Sequence, residues 1–111
     1  MRDLTNDERC IVERMLAQIP GLRERLEEQL RAIKVAPLDD DGSLRFSIDS
    51  SVIPLDQAVE RVPVTAIFDD ADGIPVYLLL HIEAGRLSEL EVYKADGSPI
   101  VNKPVAAELY F

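Results

Sequence analysis

Ile74-Pro75-Val76-Tyr77-Leu78-Leu79-Leu80-His81-Ile82-Glu83-Ala84-Gly85-Arg86-Leu87-Ser88-Glu89-Leu90-Glu91-Val92-Tyr93-Lys94 is the stretch that decides the fold. Ile74 to Glu83 is the longest apolar segment of the chain and reads as a central strand, because a strand buried on both faces loses its polar alternation. Ala84-Gly85 follows as a tight turn. From Arg86 to Lys94 a second strand is expected, with Leu87, Glu89, Glu91 and Tyr93 on one face and Ser88, Leu90 and Val92 on the other. Two strands joined by two turn-forming residues make an antiparallel hairpin.

The same grammar extends outward in both directions. Upstream, Val62 to Phe68 reads as a strand that Asp69-Asp70-Ala71-Asp72-Gly73 turns back. Leu44, Phe46 and Ile48 alternate with Ser43, Arg45 and Ser47, which gives a half-buried strand. Val35 to Leu38 is a shorter strand, set off by the turn Asp39-Asp40-Asp41-Gly42. Asp49 to Asp56 is a loop, followed by a short helical turn through Val59. Downstream, Asp96-Gly97-Ser98-Pro99 is another turn, and Ile100 to Phe111 has no clear assignment. Before Lys34 the period changes. Thr5-Asn6-Asp7-Glu8 fits a capping box, and Ile11, Val12, Met15, Leu16 and Ile19 recur at helical spacing. Pro20-Gly21 interrupts the pattern, and Leu22, Leu26, Leu30 and Ile33 resume it. The expectation is a single α+β domain over residues 1–111. Its N-terminal helical hairpin (about 6–33) packs on an antiparallel β-sheet meander of about five strands (about 35–103).

A chain of 111 residues suits one domain and can bury roughly two-thirds of its unfolded surface. Residues 1–38 hold seven basic and seven acidic residues, whereas residues 39–111 hold five and fourteen, so the net charge of −9 lies wholly in the second part. That excess argues against nucleic acid, whose phosphates need clustered Lys and Arg, and against an anionic membrane surface. It suits a basic protein partner, which an acidic face attracts by electrostatic steering. Solubility alone is the plainer reading of the same charge. With one cysteine, Cys10, no intrachain disulfide is available. The opening from Met1 to Asp7 is polar, without the apolar run of a signal peptide. A cytoplasmic setting is expected.

Catalytic and metal-binding patterns are weak. Asp70-Ala71-Asp72-Gly73 matches a fragment of a calcium loop, but Phe68 occupies the first ligand position and Leu79 the last. Asp39-Asp40-Asp41-Gly42 fails in the same way, and Asp-Gly is above all a turn signal. Cys10 and His81 could form a nucleophile–base pair, yet a lone helical cysteine reads as a small inert core residue. A zinc site built on them would need two carboxylates to complete it. Glu83, Glu89 and Glu91 could act as paired carboxylates, but the chain has no Trp, three Tyr and three Phe to build a sugar-binding cleft. No Gly-rich phosphate loop and no nucleophile elbow is present. No catalytic residue, no metal site and no cofactor is expected.

What remains is a surface. Glu89, Glu91 and Tyr93 line up at period two, with Asp96 just beyond, and Asp69, Asp70 and Asp72 crowd a neighbouring turn. Acidic side chains around an aromatic anchor form a landing site for an Arg- or Lys-rich partner. An ordinary solvent-facing strand is the competing reading. The segments Leu4 to Glu8, Asp40 to Phe46 and Gly85 to Pro99 resemble a family of short bacterial proteins of unknown function. That family has no assigned activity, so the resemblance implies no functional residues. In size and charge the chain also loosely resembles immunity-type proteins. The expected function is therefore that of a non-enzymatic, acidic protein-binding module, an inhibitor of a basic toxin or nuclease. A small-molecule binder with a pocket between helices and sheet, and a homodimer subunit joined through apolar residues such as Leu109-Tyr110-Phe111, are the alternatives.

Overall fold

A computed structural model describes residues 1–55 and 61–111 of the chain. Two helices lead, α1 (Asn6–Leu16) and α2 (Pro20–Leu30). Five strands follow: β1 (Ile33–Pro37), β2 (Leu44–Ile48), β3 (Arg61–Asp69), β4 (Pro75–Glu83) and β5 (Arg86–Lys94). A short 3-10 turn, Ala106–Glu108, lies near the end of the chain.

Helix α1 starts where the capping box requires. Thr5 Oγ1 accepts from the Glu8 amide at 3.1 Å, and Glu8 Oε1 accepts from the Thr5 amide at 2.9 Å. Arg2 clamps both Glu8 carboxylate oxygens, at 2.7 and 2.9 Å. The helix buries Ile11, Val12, Met15 and Leu16 against the sheet. Helix α2 has no side-chain cap and opens on Pro20, whose missing N–H would have had no partner in a first turn. It buries Leu26, Gln29 and Leu30.

The α+β layout, the helical hairpin and the five antiparallel strands match the expectation. The strand order does not match a simple meander: it is β1-β2-β5-β4-β3. β1 and β2 form one hairpin, and β3, β4 and β5 form a three-stranded meander. β2 pairs with β5 rather than β3, through Leu44–Leu90 and Arg45–Glu89. β3, next after β2 in the chain, therefore lies at the far edge of the sheet from β1. The helical turn expected to end at Val59 lies outside the described residues.

Val76, Leu78, Leu80 and Ile82 of β4 point to the helices, together with Leu44 and Phe46 of β2 and Ala66 and Phe68 of β3. On β5 the expected faces need one correction. Ile82 pairs with Leu87 but His81 pairs with Glu89, so Ser88 is an extra residue in a β-bulge. A bulge shifts the alternation by one. Leu87 therefore joins Leu90 and Val92 in the core, while Glu89, Glu91 and Tyr93 face the other way.

The β4–β5 turn is fixed from outside. Ala84 and Gly85 both take positive φ, 51° and 78°, as a two-residue turn between right-twisted strands demands. A Cβ on Gly85 would lie 2.5 Å from the Leu55 carbonyl oxygen. The Leu55 amide donates to the Gly85 carbonyl at 2.8 Å. Buried Gln29 donates to the same carbonyl at 2.9 Å and accepts from the Leu87 amide at 2.9 Å.

Both sheet edges are partly covered by the chain's own ends. Arg2 exchanges two backbone hydrogen bonds with Val35 on β1, at 2.9 and 2.7 Å. Tyr110 does the same with Ile67 on β3, at 2.7 and 2.9 Å. The C-terminal segment thus pairs with the sheet, an assignment the sequence leaves open.

Candidate functional site

Both helices pack on one face of the sheet, so the alternation of each strand assigns every second side chain to the other face. That open face carries two rows of interest. In the first, register aligns Tyr93 with Tyr77, Tyr77 with Ile67, and Ile67 with Tyr110. All three tyrosines of the chain thus stand in one row across four neighbouring segments. The Tyr77 and Tyr93 rings meet at 5.4 Å between centroids, tilted by 40°. Tyr93 and Tyr110 remain 41% and 46% exposed. The Tyr110 hydroxyl donates to Asp69 at 2.7 Å, and that carboxylate raises the tyrosine's pKa above its ordinary value.

Two residues along the strands, Glu91 lies opposite Leu79 and Glu89 opposite His81, with Arg45 on the other side of Glu89. His81 Nε2 lies 2.8 Å from Glu91 Oε1. Donor atoms of His81, Glu89 and Glu91 all fall within 4.8 Å of one another. All three side chains are half-buried.

Glu89, Glu91 and Tyr93 thus come together on one exposed face, with Asp69 at its β3 edge. Asp96 stands apart in the turn after β5. There it accepts from the Ser98 amide and hydroxyl at 3.0 and 2.6 Å, hydrogen bonds that lower its pKa.

Asp70 and Asp72, expected to crowd beside Glu89, Glu91 and Tyr93, are instead engaged with Lys94. The Asp70 side chain is buried against the Lys94 ammonium at 2.9 Å, and Lys94 also pairs with Asp72 and donates to the Pro99 carbonyl. Asp70 further accepts from the amides of Ala71, Val101 and Asn102 at 2.7, 2.8 and 2.9 Å. Burial alone would raise the Asp70 pKa; Lys94 and these amides outweigh it and hold the carboxyl well below the usual range. Burial likewise opposes the Lys94 charge, and Asp72 and Asp70 overcome it, so the lysine pKa is raised. A buried charge needs such compensation. The pair ties the β3–β4 turn to the segment after β5.

Cys10 is exposed on α1 rather than part of the core. His81 projects from the opposite face of the sheet, so the two cannot form a nucleophile–base pair. The acidic turns cap their own backbone: Asp39 accepts from the Asp41 and Ser43 amides at 2.9 and 3.1 Å, and Asp72 from the Ile74 amide at 3.1 Å.

On the helical side, a cavity of about 590 Å³ opens between the start of α1, the β1–β2 turn and residues 103–105. Its floor includes Ile11, Leu78 and Leu90, and its rim Arg2, Asp7 and Lys103.

The sequence reading missed Tyr77, His81, Ile67 and Tyr110 as members of the open face. A period-two signal was present: Tyr77, Leu79 and His81 alternate with Val76, Leu78, Leu80 and Ile82. The run of leucines from Leu78 to Leu80 masks it.

These features define a small α+β domain with one helix-covered and one open sheet face. The chain belongs to the DUF6984 family, a domain of unknown function, whose match spans residues 1–104. No curated protein and no solved structure matches it. Among the described residues, no helix is long and apolar enough to cross a membrane.

Proposed function

We propose that the protein is a non-enzymatic binding module whose open sheet face receives a basic protein partner. The observation that carries this reading is the convergence of all three tyrosines on one row of that face. Tyrosine offers large, rigid contact area with a polar tip at low entropic cost, and it dominates many interfaces. Glu89, Glu91 and Asp69 border the row and favour Arg or Lys opposite them. The charge of the second part of the chain supports the same choice of partner, since it speeds encounter with a basic protein. An immunity-type role, in which a bacterial chain of this kind masks a basic toxin or nuclease, is the finer form of this reading.

The test is capture from lysate of the source cell at low and high salt, with Tyr77→Ala/Tyr93→Ala and Glu24→Gln/Glu28→Gln proteins as paired baits. A basic protein held by the wild type and the α2 variant, released by salt and lost with the tyrosine variant, is the expected result. Equal capture by all three baits would sink the proposal. The cavity on the helical side favours a second reading, a small-molecule site, since its volume and apolar floor suit an organic ligand. A ligand-stability screen in which Ile11→Trp abolishes a hit would favour that alternative.

A further inference from the structure

We infer that His81, Glu89 and Glu91 form a binding site for one divalent first-row transition ion, such as zinc, on the open sheet face. The site shares Glu89 and Glu91 with the proposed partner face, but it is argued from their geometry with His81 and not from that reading. The register makes the cluster: Glu89 stands directly opposite His81, and Glu91 two residues further along the same face of β5. One imidazole nitrogen and two carboxylates then lie within 4.8 Å of one another. Two ligands of one tetrahedral zinc ion sit about 3.4 Å apart, given bond lengths of about 2.0–2.2 Å. The His81–Glu91 contact at 2.8 Å therefore needs to open only slightly, and the Glu89 carboxylate already lies within 4.8 Å of both. Rotation about the half-exposed side-chain bonds supplies that adjustment.

The chemistry of the donors selects the ion. An imidazole ligand disfavours calcium and magnesium, which take oxygen, and suits zinc and its neighbours. Two carboxylates with one neutral imidazole supply two negative charges to a divalent cation. Coordination through Nε2 replaces the contact between His81 and Glu91, and a neutral ring then carries its one proton on Nδ1. Among the described residues Glu89 is in no ion pair, although Arg45 is its register neighbour on β2. Water or a further ligand would complete a four-coordinate shell.

His81 is the only histidine, so the imidazole resonances in NMR are assigned to it without ambiguity. The experiment is a zinc titration of the wild type and of Cys10→Ser, followed by calorimetry and by the His81 ring resonances. Cys10→Ser is needed because exposed Cys10 is a potential zinc ligand of its own. We expect one ion per chain in both proteins, with the ring fixed in the tautomer that coordinates through Nε2. His81→Asn and Glu91→Gln, each in the Cys10→Ser background, should weaken binding by more than the roughly 10–100-fold that outer-shell changes cost. The face is solvent-exposed, so these variants should fold, and far-ultraviolet circular dichroism checks that they do. An unmoved His81 signal at about millimolar zinc, an affinity lower than most extracellular calcium modules, would overturn the proposal. So would unchanged affinity in both variants. Zinc binding is read on the free protein, so a failure to capture a partner leaves this result untouched.

Discussion

Three buried polar residues, Asp70, Lys94 and Gln29, show how single side chains hold this domain together. Asp70 has a lowered folded pKa, so its contribution to stability is present above the ordinary carboxylate range. It should be lost as pH falls below about 4 toward the lowered folded value. Lys94 has a raised folded pKa, so its contribution is complete below the ordinary lysine value and lost only as pH rises through the raised one. Between these limits the pair should be insensitive to pH. Asp70→Asn is therefore expected to lower the denaturant midpoint at neutral pH and to flatten the acid limb of the stability profile. An acid limb as steep as the wild type's would assign it to other carboxylates. Gln29 acts differently, since it carries no charge and bridges α2 to the β4–β5 turn. Gln29→Leu keeps the volume but leaves the Leu87 amide without an acceptor, a loss of about 1–3 kcal/mol. Urea unfolding measures it, and a neutral result would mean that another acceptor replaces Gln29.

The hairpin of β4 and β5 is the element on which the rest is built, and its turn is not optimal. Ala84 holds φ of 51°, a left-handed conformation that costs a residue with a Cβ about 1–2 kcal/mol. Asn tolerates it better and is favoured before Gly in such turns. Ala84→Asn should raise stability by up to about 1 kcal/mol, read as a higher melting temperature; a lower one would show that Ala84 is held by packing. Much of this element was legible in sequence, because Ala84-Gly85 and the Asp-Gly pairs mark turns through local backbone chemistry. Gly42, Gly73, Gly85 and Gly97 all take positive φ. The Thr5–Glu8 capping box was legible for the same reason. What escaped was non-local. Nothing in Leu87-Ser88-Glu89 announces the bulge that turns Leu87 inward, and period two carried across it assigns the wrong face. β2 and β5 are far apart in sequence, and no local signal makes them neighbours. Asp70 looked like a surface charge because Lys94, Val101 and Asn102, which bury and satisfy it, lie further along the chain.

At the scale of the whole molecule, the sheet divides two tasks. Its helical face is occupied by core leucines and valines that decide stability. The open face carries Tyr93, Tyr77, Ile67 and Tyr110, with Glu89, Glu91 and His81 beside them, and contributes little to that core. A domain needing only a solvated outer surface would be served by Thr, Lys and Glu at these positions. Placing every tyrosine there instead exposes aromatic area that has to be used or tolerated. The two possibilities separate in one comparison. If the row is structural, Tyr77→Ala/Tyr93→Ala removes a cross-strand aromatic pair and should cost more than the roughly 0.2–1 kcal/mol typical of one such pair, because packing is lost as well. If the row exists for a partner, the free protein should lose no more than that amount, while the captured basic protein should be released. Salt should then act mainly through Glu89 and Glu91. Neutralising them with Glu89→Gln/Glu91→Gln should slow association and flatten its dependence on ionic strength. The tyrosine variant should instead speed dissociation, since contact area at the centre of an interface sets the lifetime of a complex. Surface plasmon resonance with the captured partner reads both rates. A tyrosine variant that unfolds early but binds normally would return the row to the fold and leave the open face without a function.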